Sequence, residues 1–236
     1  MKGYFITGTD TDAGKTWAAC GLIAGFQSHG RRPGAMKPVA CGVISYDNDL
    51  INEDVVMLST FSGQDRRDPA LCPYSFSSPV SPHIAAEYAG ISIELSAIRD
   101  NFAKLSAQFD PVIVEGAGGW LTPISATLTM ADVARELALP VVLVVGLRLG
   151  CLNHAQLTAE SIGRSGLRLA GWIGSHVDPK FQYPAENLRA LESRLGSAPL
   201  AVLPHSAALS ATLPLTARAA GSLLARQRGS GIGARI

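Results

Sequence analysis

The sequence predicts an α/β fold, a doubly wound parallel sheet of about seven strands with helices on both faces. Three observations carry this reading. Short apolar runs rich in β-branched residues recur along the chain, and helix-period segments separate them. The runs are continuous rather than alternating, which is the pattern of strands covered on both sides. In such a sheet the default site lies at the carboxyl ends of the strands.

The elements follow in order. "YFIT" (4–7) reads as the first strand, and residues 14–29 as a helix stopped by Gly30. "PGAMKPVA" (33–40) is a strand or an extended segment, and residues 53–62 look helical. Residues 94–109 form the clearest amphipathic helix, with Leu95, Ile98, Phe102, Leu105 and Phe109 on one face. A strand "PVIVEG" (111–116), a helix (130–139) and a strand "PVVLVVG" (140–146) come next. A helix (153–165), a strand "LAGWIGS" (169–175), a helix (185–195), a strand "LAVLPHS" (200–206) and a final helix (215–226) complete the pattern. The Pro- and Ser-rich stretch 63–92 reads as the longest irregular segment. No composition break marks a second domain. Residues 1–225 are therefore expected to form a single domain, with the basic, Gly-rich residues 226–236 as a flexible tail.

Composition narrows the function classes. The 236 residues are 47% hydrophobic and 17% charged, enough for a large core without disulfides or metals. A net charge of +1 offers no basic surplus for nucleic acid and no charged block for a membrane surface. The stretch "LALPVVLVVGL" is about half the ~20 residues a membrane helix needs, so it reads as a buried strand. The four cysteines (Cys20, Cys41, Cys72, Cys151) form no C-x-x-C pair, and no secretory signal is visible. A cytoplasmic protein is expected.

"GTDTDAGKTW" (8–17) follows the first strand and opens the first helix, the context a phosphate-binding loop requires. Backbone N–H groups and the helix dipole attract phosphate there. Lys15 can reach the β and γ phosphates, and Thr16 can ligate magnesium. The loop departs from the general pattern, because Gly8 and Gly14 are separated by five residues rather than four. The bland alternative is a strand-to-helix turn with a chance Gly-Lys-Thr.

"VIVEGAGG" (112–119) ends a buried strand in an acid and a Gly-rich turn. Glu115 could hold magnesium beside the loop, or simply cap the turn. Gly116, Gly118 and Gly119 would let a ligand come close to the backbone. Lys37, in "AMKPVACG", would add a second positive charge near the phosphates and stabilise charge on a transferring phosphoryl group. Alone it reads sooner as an exposed edge lysine. Asp54, in "INEDVVML", suits a helix start for dipole reasons alone. His83 and His154 are single histidines at helix starts, and no His/Cys/Asp spacing makes a transition-metal site.

Taken together these segments resemble the dethiobiotin synthetase family. The resemblance is carried by "YFITGTDTDAGKT", "KPVACG", "PYSFSSPVSPH", "VEGAGGWLTPI", "LPVVLVVGLRLGCLNHAQLT" and "LAGWI", in the family's order from residue 4 to about 178. It implies a P-loop NTPase-like fold working as a homodimer on 7,8-diaminononanoate, CO2 and MgATP. One amine takes up CO2, the carbamate oxygen attacks the γ-phosphorus, and the second amine closes the ureido ring with release of phosphate. Asp12, Ala13, Gly14, Lys15, Thr16 and Trp17 would line the nucleotide phosphates. Thr16, Asp54 and Glu115 would hold Mg2+, and Gly116, Ala117 and Gly118 would adjoin the nucleotide. Lys37 falls on the family's catalytic lysine. Lys15 and Thr11 would act beside it, with Thr11, Gly118 and Cys41 close to the diamine or its carbamate. Leu152 and Asn153 would reach into the neighbouring subunit's substrate site. Ser175 and His176 would flank the base on one side, and Pro204, His205 and Ser206 on the other.

Three positions depart from the family pattern. Asp12 stands where Glu is common, and Cys41 where a hydroxyl residue meets the carbamate. Ser175 stands where an Asn amide reads adenine, which implies relaxed base selectivity. The competing function is a partner-regulated P-loop ATPase switch. Such switches carry an extra lysine early in the loop, and positions 9–13 hold none.

Overall fold

A computed structural model of the chain describes residues 3–47, 49–205 and 212–230. In chain order the elements are β1 (Gly3–Gly8), α1 (Lys15–Ser28), β2 (Gly34–Met36), β3 (Val39–Cys41), β4 (Ile44–Tyr46), β5 (Asp49–Ile51), α2 (Glu53–Ser62), β6 (Tyr74–Phe76) and α3 (Pro82–Ala89). They continue as α4 (Leu95–Gln108), β7 (Val112–Gly119), α5 (Met130–Leu137), β8 (Val141–Leu147), α6 (Cys151–Arg164), β9 (Leu169–His176), α7 (Pro184–Leu195), β10 (Ala201–Leu203) and α8 (Leu213–Ser230).

The main sheet is parallel, in the order β10-β9-β8-β1-β7-β2. It has six strands among the described residues rather than the expected seven or so. The reason lies at Lys37-Pro38. Met36 pairs with Val114 in the sheet, but the Lys37 N–H donates to the Leu71 carbonyl at 2.7 Å, away from the sheet. Pro38 has no N–H to continue a ladder. The chain then resumes as β3, which pairs in parallel with β6 in a separate two-stranded ribbon.

The stretch expected to be irregular holds ordered elements. Residues 63–92 contain β6 and α3, the latter opened by Pro82 in its first turn and closed by Gly90 at φ +65°. A short antiparallel pair that the sequence reading did not assign joins β4 to β5, with Ile44 opposite Ile51 and Tyr46 opposite Asp49. The last helix runs from Leu213 to Ser230, so the tail expected from residue 226 begins inside it.

Successive residues of β1 feed opposite faces, as the strand period requires. Tyr4 and Ile6 pack with α1, α2 and α8, whereas Phe5 packs with α4 and α5. Leu143, Val145 and Trp172 pack under α6 and α7. Helices thus cover both faces. Helices α1 and α8 meet where Gly21 and Gly25 face Thr216. A Cβ on Gly25 would lie 2.5 Å from the Thr216 backbone oxygen. Gly25→Ala should therefore destabilise the fold by about 1–3 kcal/mol in urea unfolding, despite alanine's better helix propensity. Gly163→Ala on α6, where nothing lies within 4 Å, should gain roughly 0.5 kcal/mol.

Candidate active site

The parallel registers bring the functional residues to one edge. Ile6 pairs with Glu115, Met36 with Val114, and Gly146 with Ser175. Lys37, one residue beyond Met36, therefore lands beside Glu115. A cavity of about 980 Å³ opens above these strand ends.

The loop between β1 and α1 is held from several sides. The Thr9 N–H donates to the Val144 carbonyl at 2.9 Å, and the Gly146 N–H donates to Thr9 Oγ1 at 3.2 Å. Asp10 forms an ion pair with Arg148 and accepts the Thr11 N–H at 2.8 Å. Asp12 has φ +56°, a conformation that Asp tolerates better than most residues. Gly14 has φ +89°, and a Cβ there would stand 2.4 Å from Ser175 Oγ. Backbone conformation and space both require glycine at this position. Ala13 is buried under the loop.

Four charged groups meet below the loop. Lys37 Nζ lies 2.6 Å from Glu115 Oε1 and 2.8 Å from Asp54 Oδ2, and donates to the Gly116 carbonyl at 3.3 Å. Thr16 Oγ1 is 2.7 Å from Asp54 Oδ1 and 3.0 Å from Glu115 Oε1. Its single proton can serve one carboxylate at a time. Lys15 bends back to donate to the Asp10 carbonyl at 3.0 Å. Lys37 and Glu115 are 3% and 0% exposed, so water screens neither.

Burial alone would push the Lys37 ammonium down, but the charges of Glu115 and Asp54 outweigh it and hold Lys37 above its ordinary range. Burial and repulsion from Lys37 lower Lys15. Burial raises Glu115, against the pull of Lys37. Asp54 feels burial too, but the Lys37 charge and hydrogen bond take it below the usual carboxylate range. Burial lifts the Cys41 thiol, keeping it neutral beside Lys37.

The donor set fits a hard divalent cation. It consists of a hydroxyl and two carboxylates, and Glu115 Oε2 is buried without a hydrogen-bond partner. Among the described residues no cluster of three or more His, Cys, Asp or Glu could cage a metal. A hydroxyl with two carboxylates is a donor set that fits Mg2+, which takes one or two carboxylates and leaves other positions to water and substrate phosphates.

Of the expected site residues, Thr11, Asp12, Gly14, Lys15, Thr16, Trp17, Lys37, Cys41, Asp54, Glu115, Ala117 and Gly118 line this cavity. So do Ser175, His176, Pro204 and His205. Gly116 contributes its carbonyl to Lys37, and Gly118 turns at φ +61° against Thr122. Ser206 lies outside the described residues. Leu152 and Asn153 sit in the first turn of α6 and do not line the cavity. Sequence reasoning missed Asn52, Met57, the turn from Pro79 to Pro82, and Thr122, all of which line it. Asn52 had a legible signal, an Asn directly before an acidic helix start.

A glycine loop at the carboxyl edge of a parallel sheet, backed by two lysines and two carboxylates, is the arrangement of a P-loop NTPase-like fold. A protein-family model described as an AAA domain matches residues 2–212. The ATP-dependent dethiobiotin synthetase BioD of Aromatoleum aromaticum is 46% identical over 206 residues, spanning 87% of this chain and 92% of that protein. The BioD of Xanthomonas oryzae pv. oryzae is 44% identical over 192 residues, spanning 81% and 86%. The chain belongs to the ATP-dependent dethiobiotin synthetase family, ligases that form a C–N bond. Among solved structures, the cell division ATPase MinD of Pyrococcus furiosus superposes with a TM-score of 0.58 at 15% identity, covering 95% of this chain and 99% of that one. At that identity the likeness shows the fold alone.

Removing the central cation tests the cluster. Lys37→Met leaves Asp54 and Glu115 facing each other and should cost about 3–5 kcal/mol at neutral pH. In the variant both carboxylates titrate above their unfolded values, so folding takes up protons and stability recovers as pH falls from about 7 toward 5. In the wild type Asp54 is depressed, and its contribution disappears only as pH falls through and below 3.8. Urea unfolding in chelator at pH 7.5 and 5 should show the variant regaining part of its lost stability at the lower pH, while Asp54 costs the wild type nothing over that range.

Proposed function

We propose that the protein carboxylates 7,8-diaminononanoate with CO2 and closes the ureido ring to dethiobiotin, converting ATP to ADP and phosphate. The observation that carries this reading is the convergence of Lys15, Lys37, Thr16, Asp54 and Glu115 in one cavity, with Lys15, Lys37 and Glu115 buried. Carbamate and ATP are both anionic. Bringing them into contact needs several positive charges in a low-dielectric pocket.

The residues then take distinct roles. The loop from Asp12 to Trp17 binds the phosphates through backbone N–H groups, and Lys15 neutralises their β/γ end. Thr16, Asp54 and Glu115 would hold Mg2+, which would supply further charge neutralisation. Lys37 and Thr11 orient the carbamate so that its oxygen attacks the γ-phosphorus. Positioning and charge dominate such a transfer, so no protein nucleophile is required. The resulting carbamic–phosphoric anhydride is attacked by the second amine, and phosphate departs as the ring closes. Cys41 and Gly118 border the diamine. Ser175, His176, Pro204 and His205 border the base.

Residues 1–225 are read as one domain, acting within a homodimer. Exposed Leu121, Leu149 and Leu157 lie on the loops after β7 and β8 and on α6, and Leu149 is 94% exposed. The homodimer follows from the family resemblance, and these leucines would be available to a subunit contact there. It would let the first turn of α6, with Leu152 and Asn153, complete the neighbour's substrate site. The free cysteines fit a reducing cytoplasm.

Incubation with diaminononanoate, bicarbonate and MgATP should give dethiobiotin by mass. ATP hydrolysis indifferent to the diamine would instead favour an ATPase switch. Lys37→Ala should lower kcat by at least about 100-fold while nucleotide affinity changes little. Ser175 offers one hydroxyl where a paired amide would read the base, so ATP, CTP and GTP should agree in kcat/KM within about tenfold. A preference for ATP of about 1,000-fold or more would contradict that assignment.

A further inference from the structure

Asn52 stands directly before α2, is 8% exposed, and lines the cavity beside Cys41 and Asp54. Its amide is fully committed. Oδ1 accepts the backbone N–H groups of Asp54 at 3.0 Å and Val55 at 3.4 Å. Nδ2 donates to the carbonyls of Cys41 at 3.2 Å and Gly42 at 2.9 Å. A carboxamide has two N–H donors and two acceptor lone pairs, and these contacts use all four. Nothing remains to bind a substrate directly. The orientation is dictated as well, since a flipped amide would set its oxygen against two carbonyl oxygens.

Each end of the amide holds a different wall. The oxygen fixes the start of α2, which presents Asp54 to Lys37 and Thr16. The nitrogen fixes the exit of β3, where Cys41 lines the cavity and the chain turns through Gly42 at φ +83°. The Gly42 N–H anchors the same turn to the Phe76 carbonyl at 2.9 Å. A helix cap needs only an acceptor, and Ser, Thr or Asp would serve as well. The two donations to β3 are the part that capping leaves unexplained.

We propose that Asn52 is a positioning residue that sets the distance between the substrate wall at Cys41 and the metal-side wall at Asp54. The inference rests on the roles proposed above for those two residues.

Two variants separate its functions. Asn52→Ser keeps a capping acceptor and loses both donations, whereas Asn52→Ala loses everything. The Ser variant should melt within a few degrees of wild type. Its Kd for the diamine by calorimetry, and its KM, should rise about tenfold, with MgADP affinity unchanged. The Ala variant should in addition weaken ADP binding about tenfold in Mg2+ but not in EDTA. Wild-type diamine affinity in the Ser variant would overturn the proposal. So would a uniform loss of every parameter in step with the melting temperature. If the wild type makes no dethiobiotin, the proposed function fails separately, and the ADP measurements still decide whether Asn52 positions Asp54.

Discussion

The buried pairing of Lys37 with Glu115 and Asp54 is the contact around which the molecule is organised. It joins the residue after β2 and the middle of β7 to the start of α2, and Thr16 ties the same carboxylates to α1. Removing any one charge leaves its partners stranded in a medium that cannot solvate them. The cluster is nevertheless weak evidence for stability as such, because apolar side chains could fill the space at less cost. Its value is chemical. Two ammonium groups and two carboxylates, largely buried and fixed in place, would need little reorganisation to meet phosphate charge in the proposed reaction.

The surrounding backbone serves that geometry. The parallel registers bring Glu115 and Lys37 side by side and set Ser175 against the phosphate loop. Thr9 and Asp10 bind the loop to β8 and to Arg148, so the phosphate end is tied to the turn that leads into α6. Asn52 closes the opposite side by linking α2 to β3. The walls therefore come from segments far apart in sequence, and the active residues sit on elements with little freedom of their own.

Much of this was legible before any coordinates. The alternation of buried runs and helical periods gave the class, both sheet faces and most element positions. The phosphate loop was readable because its signal is local, a strand, a glycine turn and a helix within a few residues. The strand count failed at Lys37-Pro38, where an apolar run that looks continuous is divided between two sheets. Residues 63–92 were read as irregular because Pro and Ser dilute the helical period, although Pro82 and Gly90 mark the ends of α3. Lys37 alone was ambiguous, because its meaning comes from Glu115, 78 residues away. Thr122 and Met57 were invisible for the same reason, since they join the site only through tertiary packing.

In the proposed reaction the lysines and carboxylates bring a carbamate oxygen onto the γ-phosphorus. Turnover with 18O-labelled bicarbonate reads this step directly. If the carbamate oxygen attacks phosphorus and leaves with it when the ring closes, each released phosphate carries one labelled oxygen. Phosphate without label, formed alongside dethiobiotin, would contradict the claim and would mean that the charges in this cavity serve some other transfer.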